Sequence, residues 1–558
     1  MIPQVYAPQG KWTSPVTSRL LVEAGLSTHY MHWRHQYQPG VGPFDVAHIE
    51  QTTGRTWVAT TSRNDNVSNH FNAIASVSYV TGSHNFKTGI NHRWGFMEAS
   101  RPFNGDVQAL RFLNGQPTSV TVLNSPVFER DNMNADLGVY VQDTWTLNRL
   151  TLNLGGRYDH FNASIPEQTA PAGNFVPARR FAPLENQPRF DDWAMRLGAS
   201  YDVFGTGKTA LKANASKYVG GASMEFTSPY NAMALQTEQR SWRDLDGNRS
   251  VFDANGDVQN AEIGPTRNLN FGQPSGTRRL DPNLARDYNW EESVLIQHEL
   301  RPGVAVTAGY YRRQNYNLQW TDNLLVDPDL DYTPFTITAP RDPRLPGGGG
   351  EVITMYNLRP EKLGLVNELV TASTTNRRTY DGFEVTADAR FENGAFLFGG
   401  VTTERTATNS CQVDNPNSRR FCDRVPPFRT MLKLSGTYPL PYDVQLSGNV
   451  RALPGGSLGG TYAVNSAIAG VPLTGGGTLN VQLVEPSTLF ADYLNQFDLR
   501  LMRIFRVGRL RAQALLDIYN VFNASTATTL NQTFGPLWLR PQQIVQGRYL
   551  RFGTQIDF

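Results

Sequence analysis

The chain has 558 residues with 51 basic and 49 acidic side chains, a net charge of +2 and no basic tract, which argues against a nucleic-acid partner. Forty-nine glycines, 11% aromatic residues and only 18% charged residues are far from a helical composition, and no run of about 18 apolar residues offers a transmembrane helix. A mean hydropathy of −0.41 does not exclude a membrane, because a transmembrane barrel turns half of its strand residues toward a polar lumen.

Met1 to Gly10 show no basic n-region, apolar h-region or small-residue cleavage site. From Arg19 to Tyr30, Leu20, Val22, Ala24, Leu26 and Tyr30 share one face of an extended segment, which predicts a first long strand. His29, His32 and His35 follow at even spacing. A three-residue step alternates faces on a strand, so a converging metal site requires the strand to end before His32; solvated residues at a strand end are the simpler reading.

Asn69 to Val80 and His84 to Phe96 form the next predicted pair, about Thr81-Gly82-Ser83. Asp136 to Asp159 reads as a hairpin whose second strand sets Leu150, Leu152, Leu154 and Tyr158 against Asn153, Arg157 and Asp159. Asp192 to Phe204 and Lys208 to Tyr218 repeat the arrangement about Gly205-Thr206-Gly207, as do Leu284 to Leu300 and Val304 to Tyr316 about Arg301-Pro302-Gly303. Gly205 to Ala210 fits a dinucleotide fingerprint, but the residues after it alternate like a strand and supply no helix N-terminus for a pyrophosphate.

Long polar segments separate these hairpins, Val219 to Asn283 being the longest. Within it Asp244, Asp246, Asn248, Asp253, Asn255 and Asp257 offer oxygen ligands and Glu262 follows. The glycine spacing departs from an EF-hand, and Asx turns explain the same residues; a loop-stiffening calcium ion is the only cofactor they suggest. Cys411 and Cys422 bracket a short polar segment. A disulfide there suits an oxidising compartment and removes about 3 kcal/mol of loop entropy from the unfolded chain, two free thiols being the alternative.

Tyr380 to Phe391 alternates again, placing Asp388 and Arg390 opposite Phe383 and Val385, and a further strand starts at Ala395. Pro427 to Tyr438 and Tyr442 to Ala452 pair about Pro439-Leu440-Pro441, and Gly455 to Gly459 imitates a nucleophile elbow inside a glycine-rich loop with no helix behind it. Asn495 to Phe505, with Asp498 and Arg500 on its polar face, and Leu510 to Asn523 lead to the final strand. There Leu550, Phe552, Thr554, Ile556 and Phe558 oppose Tyr549, Arg551, Gly553, Gln555 and Asp557. Trp94, Trp193 and Trp290 fall toward one end of their strands, while Trp145, Tyr201, Tyr438 and Tyr442 flank short turns, as two interfacial girdles would.

The final strand resembles the C-terminal signature of bacterial outer-membrane barrels, in which the assembly machinery reads a terminal aromatic; Phe552, Ile556 and Phe558 carry it here. Gln142-Asp143-Thr144 followed by Leu150-Thr-Leu-Asn-Leu-Gly-Gly-Arg-Tyr-Asp159 resembles a hairpin of TonB-dependent outer-membrane receptors, and Tyr380-Asp-Gly-Phe383 with the cysteine loop is most similar to their Oar-like branch. The resemblance implies an all-β, transmembrane antiparallel barrel with short periplasmic turns and long extracellular loops. About sixteen strands are present of roughly 22, so residues 1–558 would be the C-terminal part of a barrel, with no plug domain.

It further implies a receptor, not an enzyme, that takes up a scarce small substrate from outside the cell outer membrane. Its partners would be outer-membrane lipid, the assembly machinery and a TonB complex acting through a plug not in this chain. Arg157, Asp159, Asp388, Arg390, Asp498 and Arg500 would face the lumen. A passive pore or adhesin, and a secreted all-β carbohydrate-binding protein, are the rival readings.

Overall fold

The computed structural model describes residues 4–266, 268, 270–273, 278–508 and 510–557. A single antiparallel meander dominates it. Its edge strand β1 is split into Gln4–Tyr6 and Gln9–Pro15, both paired with β2 (Leu20–His35). The hairpins β3 (Asn64–Val80) with β4 (His84–Ser100) and β5 (Phe128–Leu147) with β6 (Leu150–Ser164) follow, then β7 (Arg189–Asp202) with β8 (Thr209–Val219) and β9 (Tyr288–Arg301) with β10 (Val304–Tyr316). Next come β11 (Arg377–Arg390) with β12 (Phe396–Asn409), β13 (Arg429–Leu440) with β14 (Val444–Leu453), β15 (Leu494–Val507) with β16 (Leu510–Tyr519), and β17 (Tyr549–Asp557) at the other edge. The sixteen predicted strands are β2 to β17. β1 was not predicted, because Pro8 interrupts it and only Tyr6 and Trp12 mark its apolar side.

Connections alternate strictly in length. Those after odd-numbered strands run two to six residues; those after even-numbered strands run 19 to 68. All the short turns therefore lie at one end of the sheet. At 203–208 the Asp202 carboxylate accepts the Gly205 and Gly207 N–H groups at 3.0 and 2.8 Å, and both glycines hold positive φ, which a side chain would resist. Between β13 and β14 the reversal is made by Tyr442 and Asp443 in the left-handed region, so the turn occupies 441–443 rather than 439–441, and Pro439 pairs with Gln445 inside the ladder.

Register fixes the faces. Leu150, Tyr201, Leu211, Ile296, Ala308, Val385, Val401, Leu432 and Ala452 lie side by side across nine strands. Five of them, Tyr201, Leu211, Ile296, Val385 and Val401, are exposed, so no second layer covers this apolar row. Three residues along the strands, an odd step that reverses the face, Thr144, Asn153, Gly198, Asn214, Ser293, Tyr311, Gly382, Glu404 and Arg429 form the matching row of the opposite face. An uncovered apolar row that long is stable only against hydrocarbon.

The apolar face has limits. Toward the long loops it ends at the cross-strand row Glu292, Arg312, Asp381 and Arg405, two positions beyond Val294, Tyr310 and Phe383. Toward the short turns the His84–Asp143 pair at 2.6 Å lies on the same face. Aromatic pairs sit inside the outer limit, Phe71 on Trp94 and Tyr158 on Trp193, while Tyr201, Tyr438 and Tyr442 are exposed near the short turns.

Buried hydrophobic residues gather at the opposite end, in the long connections, which are packed rather than simply polar loops. One core joins Val107, Leu110, Val120, Val122, Trp242 and Phe252; another joins Ile337, Ile353, Met355, Val464, Val481 and Trp538. Each is built on loop hairpins, Val107–Leu113 with Gln116–Leu123 and Tyr332–Thr338 with Val352–Leu358.

Candidate functional site

The polar face carries a lattice of ion pairs. Arg157 Nε donates to both Asp159 oxygens at 2.7 and 2.9 Å and an Nη donates to Asn91 at 2.9 Å. Gly138 makes this possible, since a Cβ there would sit 1.8 Å from the guanidinium. Arg500 and Arg551 both reach Asp517, at 2.5 and 3.0 Å, and Asp498 accepts the Asn520 N–H at 2.8 Å. Glu23 bridges Lys11 and Lys87, Arg93 pairs with Asp136, and Arg313 reaches Glu291 at 2.7 Å.

Asp388 and Arg390 lie on this face too, both exposed. Most of these arginines keep water contact, so solvent screens the pairs and each adds little to stability. Their larger effect is to present fixed charges of both signs along one wall.

His32 does not converge with His29 or His35. The strand continues to His35, so His32 points to the apolar face, where its Nε2 lies 2.6 Å from Asp65. Gly205 to Gly207 is a hairpin turn, and Gly455 to Gly459 is loop.

The acidic loop splits in two. Asp244, Asp246 and Glu262 bring carboxylate oxygens within 4.8 Å of one another. Each already accepts backbone donors: Asp244 from Gly247 and Arg249, Asp246 from Asn248, and Glu262 from Leu245, with the Trp242 indole N–H added. Asp253 instead closes its own turn, accepting the Asn255 and Asp257 N–H groups. Asp244, Asp246 and Glu262 are thus the carboxylates brought together, while Asn248 and Asp257 each donate a backbone N–H to their turns.

Cys411 and Cys422 are bonded, with Cα atoms 4.9 Å apart. Other clamps on the long connections are ionic. Lys362 holds Asp331 at 2.8 Å, Arg419 holds Asp329, and Arg344 lies on Asp342 at 2.6 Å. Hydrogen bonds from the Arg344 side chain, then from its backbone N–H, push the Asp342 carboxyl down to about 2.

A carboxylate depressed on folding contributes stability above its unfolded value of about 3.9, and that contribution is lost as pH falls through the folded value. Amide exchange protection of residues 342–348, corrected for intrinsic rate, is therefore expected to hold at pH 5 and to fall between about pH 4 and 2. Asp342→Asn should lack protection at both ends, and a titration identical to that of the unsubstituted chain would refute the clamp. Asp106 and Asp414, raised by burial, favour their protonated forms and act in the opposite sense, but elsewhere in the loops.

The model of a family described as outer membrane beta barrel domain matches residues 21–422. No curated protein matches the chain. Among solved structures, the outer membrane transporter YddB from Escherichia coli is similar at TM-score 0.53 and 10% identity, over 99% of this chain and 62% of its own. The siderophore receptor PiuA from Acinetobacter baumannii is similar at TM-score 0.50 and 11% identity, over 100% of this chain and 64% of its own. At such identities the likeness is one of fold, and the chain spans less than two thirds of either relative.

Proposed function

The chain belongs to the outer-membrane β-barrel domain family, and from that premise we propose that it is the barrel of a receptor that takes up a scarce small substrate, driven by the TonB complex through a plug outside this chain. The observation that carries the reading is the pairing of an uncovered apolar belt with a charged opposite face and, at one end only, loops folded around cores of their own. A passive pore needs only a wet lumen. Two packed loop lobes fit a surface that captures a ligand before it enters.

The wall charges, Arg157 with Asp159 and Arg500 with Asp517 among them, would seat a plug through both signs of charge. The final strand presents Phe552 and Ile556 on the belt for the assembly machinery; Phe558 lies outside the described residues.

Depletion of small solutes from limiting medium tests the reading. Cells lacking this protein, and cells lacking a working TonB complex, should both leave at least one solute that the parent strain removes. Normal removal by the uncoupled cells alone would establish a passive pore instead, and normal removal by both would end the transport proposal.

A further inference from the structure

Three long connections, those after β12, β14 and β16, meet the loop strand Val352–Leu358 around a cavity of about 500 Å³. Among the described residues that line it none is acidic and two are arginines. Arg420 is already held. Its Nε donates to the Gln482 carbonyl at 3.0 Å, an Nη donates to Glu351 at 2.9 Å, and the guanidinium lies over the Phe421 ring.

Arg424 differs. It is half-buried, its Nε is enclosed without a partner, and among the described residues it makes no side-chain hydrogen bond or ion pair. Ser418 and Asn480, both exposed, open on the same cavity with their side chains free of protein partners among the described residues. Water can satisfy a hydroxyl or an amide, but it does not neutralise a guanidinium whose Nε is enclosed. The charge calls for an anion, and a planar fork of N–H donors matches a carboxylate or a phosphate.

We propose that this cavity binds a small polar molecule bearing an oxyanion, with Arg424 as its counter-ion and Ser418 and Asn480 as donors to the rest of it. The size suits such a ligand, pockets of about 300–1,000 Å³ being usual for small molecules. The wall is fixed nearby, since the Cys411–Cys422 bond closes the segment and Ser410 N–H donates to the Cys422 carbonyl at 2.9 Å. The inference rests on the receptor reading in placing the ligand outside the cell, and it narrows the substrate to anions.

Calorimetric titration of the purified full chain in detergent, at low salt, with citrate, glucose 6-phosphate and glucose tests it. At least one of the two anions should bind and glucose should not; citrate alone would indicate carboxylate, and glucose 6-phosphate alone phosphate. Arg424→Gln should weaken binding by about ten-fold or more, Arg424→Lys by less, and Arg341→Gln, on an exposed loop cation outside the cavity, not at all.

Retained heat-modifiable mobility on gels would show that each variant folds. Absence of anion binding, or equal binding by Arg424→Gln, overturns the site. Because the measurement uses isolated protein, that result leaves the uptake experiment to judge the receptor reading independently.

Discussion

Val385→Arg is expected to destabilise the folded barrel by about 2–4 kcal/mol in a bilayer. Val385 lies near the middle of the belt, two positions inside Phe383 and four inside the charged row at Asp381, with Ala308 and Val401 beside it in register. It is 51% exposed, so the surrounding protein offers an arginine neither a counter-ion nor a cavity, and only hydrocarbon receives the charge.

Thr386→Arg, one residue along and at nearly the same depth, is the internal control. Its side chain belongs to the face that carries Glu384 and Asp388, where water and carboxylates accept a guanidinium, so a change within about 1 kcal/mol is expected. Urea titration of both variants refolded into lipid vesicles measures the difference. Equal effects at the two sites, or a larger one at Thr386, would mean that the faces have been assigned the wrong way round.

That contrast depends on period-two alternation, which is why most of the meander could be read from sequence. Between the two limits of the belt, every second residue answers to hydrocarbon and the rest to water, and runs such as Leu150 to Tyr158 keep the pattern long enough to be unmistakable. Beyond the outer limit both faces are wet, the pattern fades, and the strands run past the ends it marks. β2 continues through His32 and Arg34 to His35, and β5 begins at Phe128, before a bulge at Met133/Ala135 that shifts its face by one.

The loop cores were hidden for a related reason. Val107, Leu110, Val120 and Val122 are scattered among polar residues and meet only when several connections fold together; the two-residue spacing of Leu110 with Phe112 and of Val120 with Val122 is the signal available. The disulfide was legible because both partners lie in one short segment. Arg424, Ser418 and Asn480 leave no mark in the sequence, since a cavity assembled from separate connections has no spacing to read.

The second large effect is expected from Trp538→Ala. Trp538 is 2% exposed at the centre of the loop core made by the connections after β10, β14 and β16. Its ring meets Phe534 at 5.4 Å, Arg344 lies over it at 5.3 Å, and its Nε1–H donates to the Gly459 carbonyl at 2.9 Å. Truncation leaves a cavity and an unpaired carbonyl, a loss of about 3–5 kcal/mol; Trp538→Phe keeps most of the ring contact and should lose markedly less.

The loss should stay in the loops. The strands hold one another through ladders that do not involve Trp538, and local cores of this kind open without global unfolding. Limited proteolysis of Trp538→Ala should therefore cut within 317–376, 454–493 and 520–548, while heat-modifiable mobility of the barrel persists. Gly459 and Gln532 line the anion cavity, so citrate or glucose 6-phosphate binding should disappear with the lobe. Loss of the barrel itself in Trp538→Ala would show that loops and strands fold as one unit, and an unchanged protease pattern would show that this tryptophan does not hold the lobe.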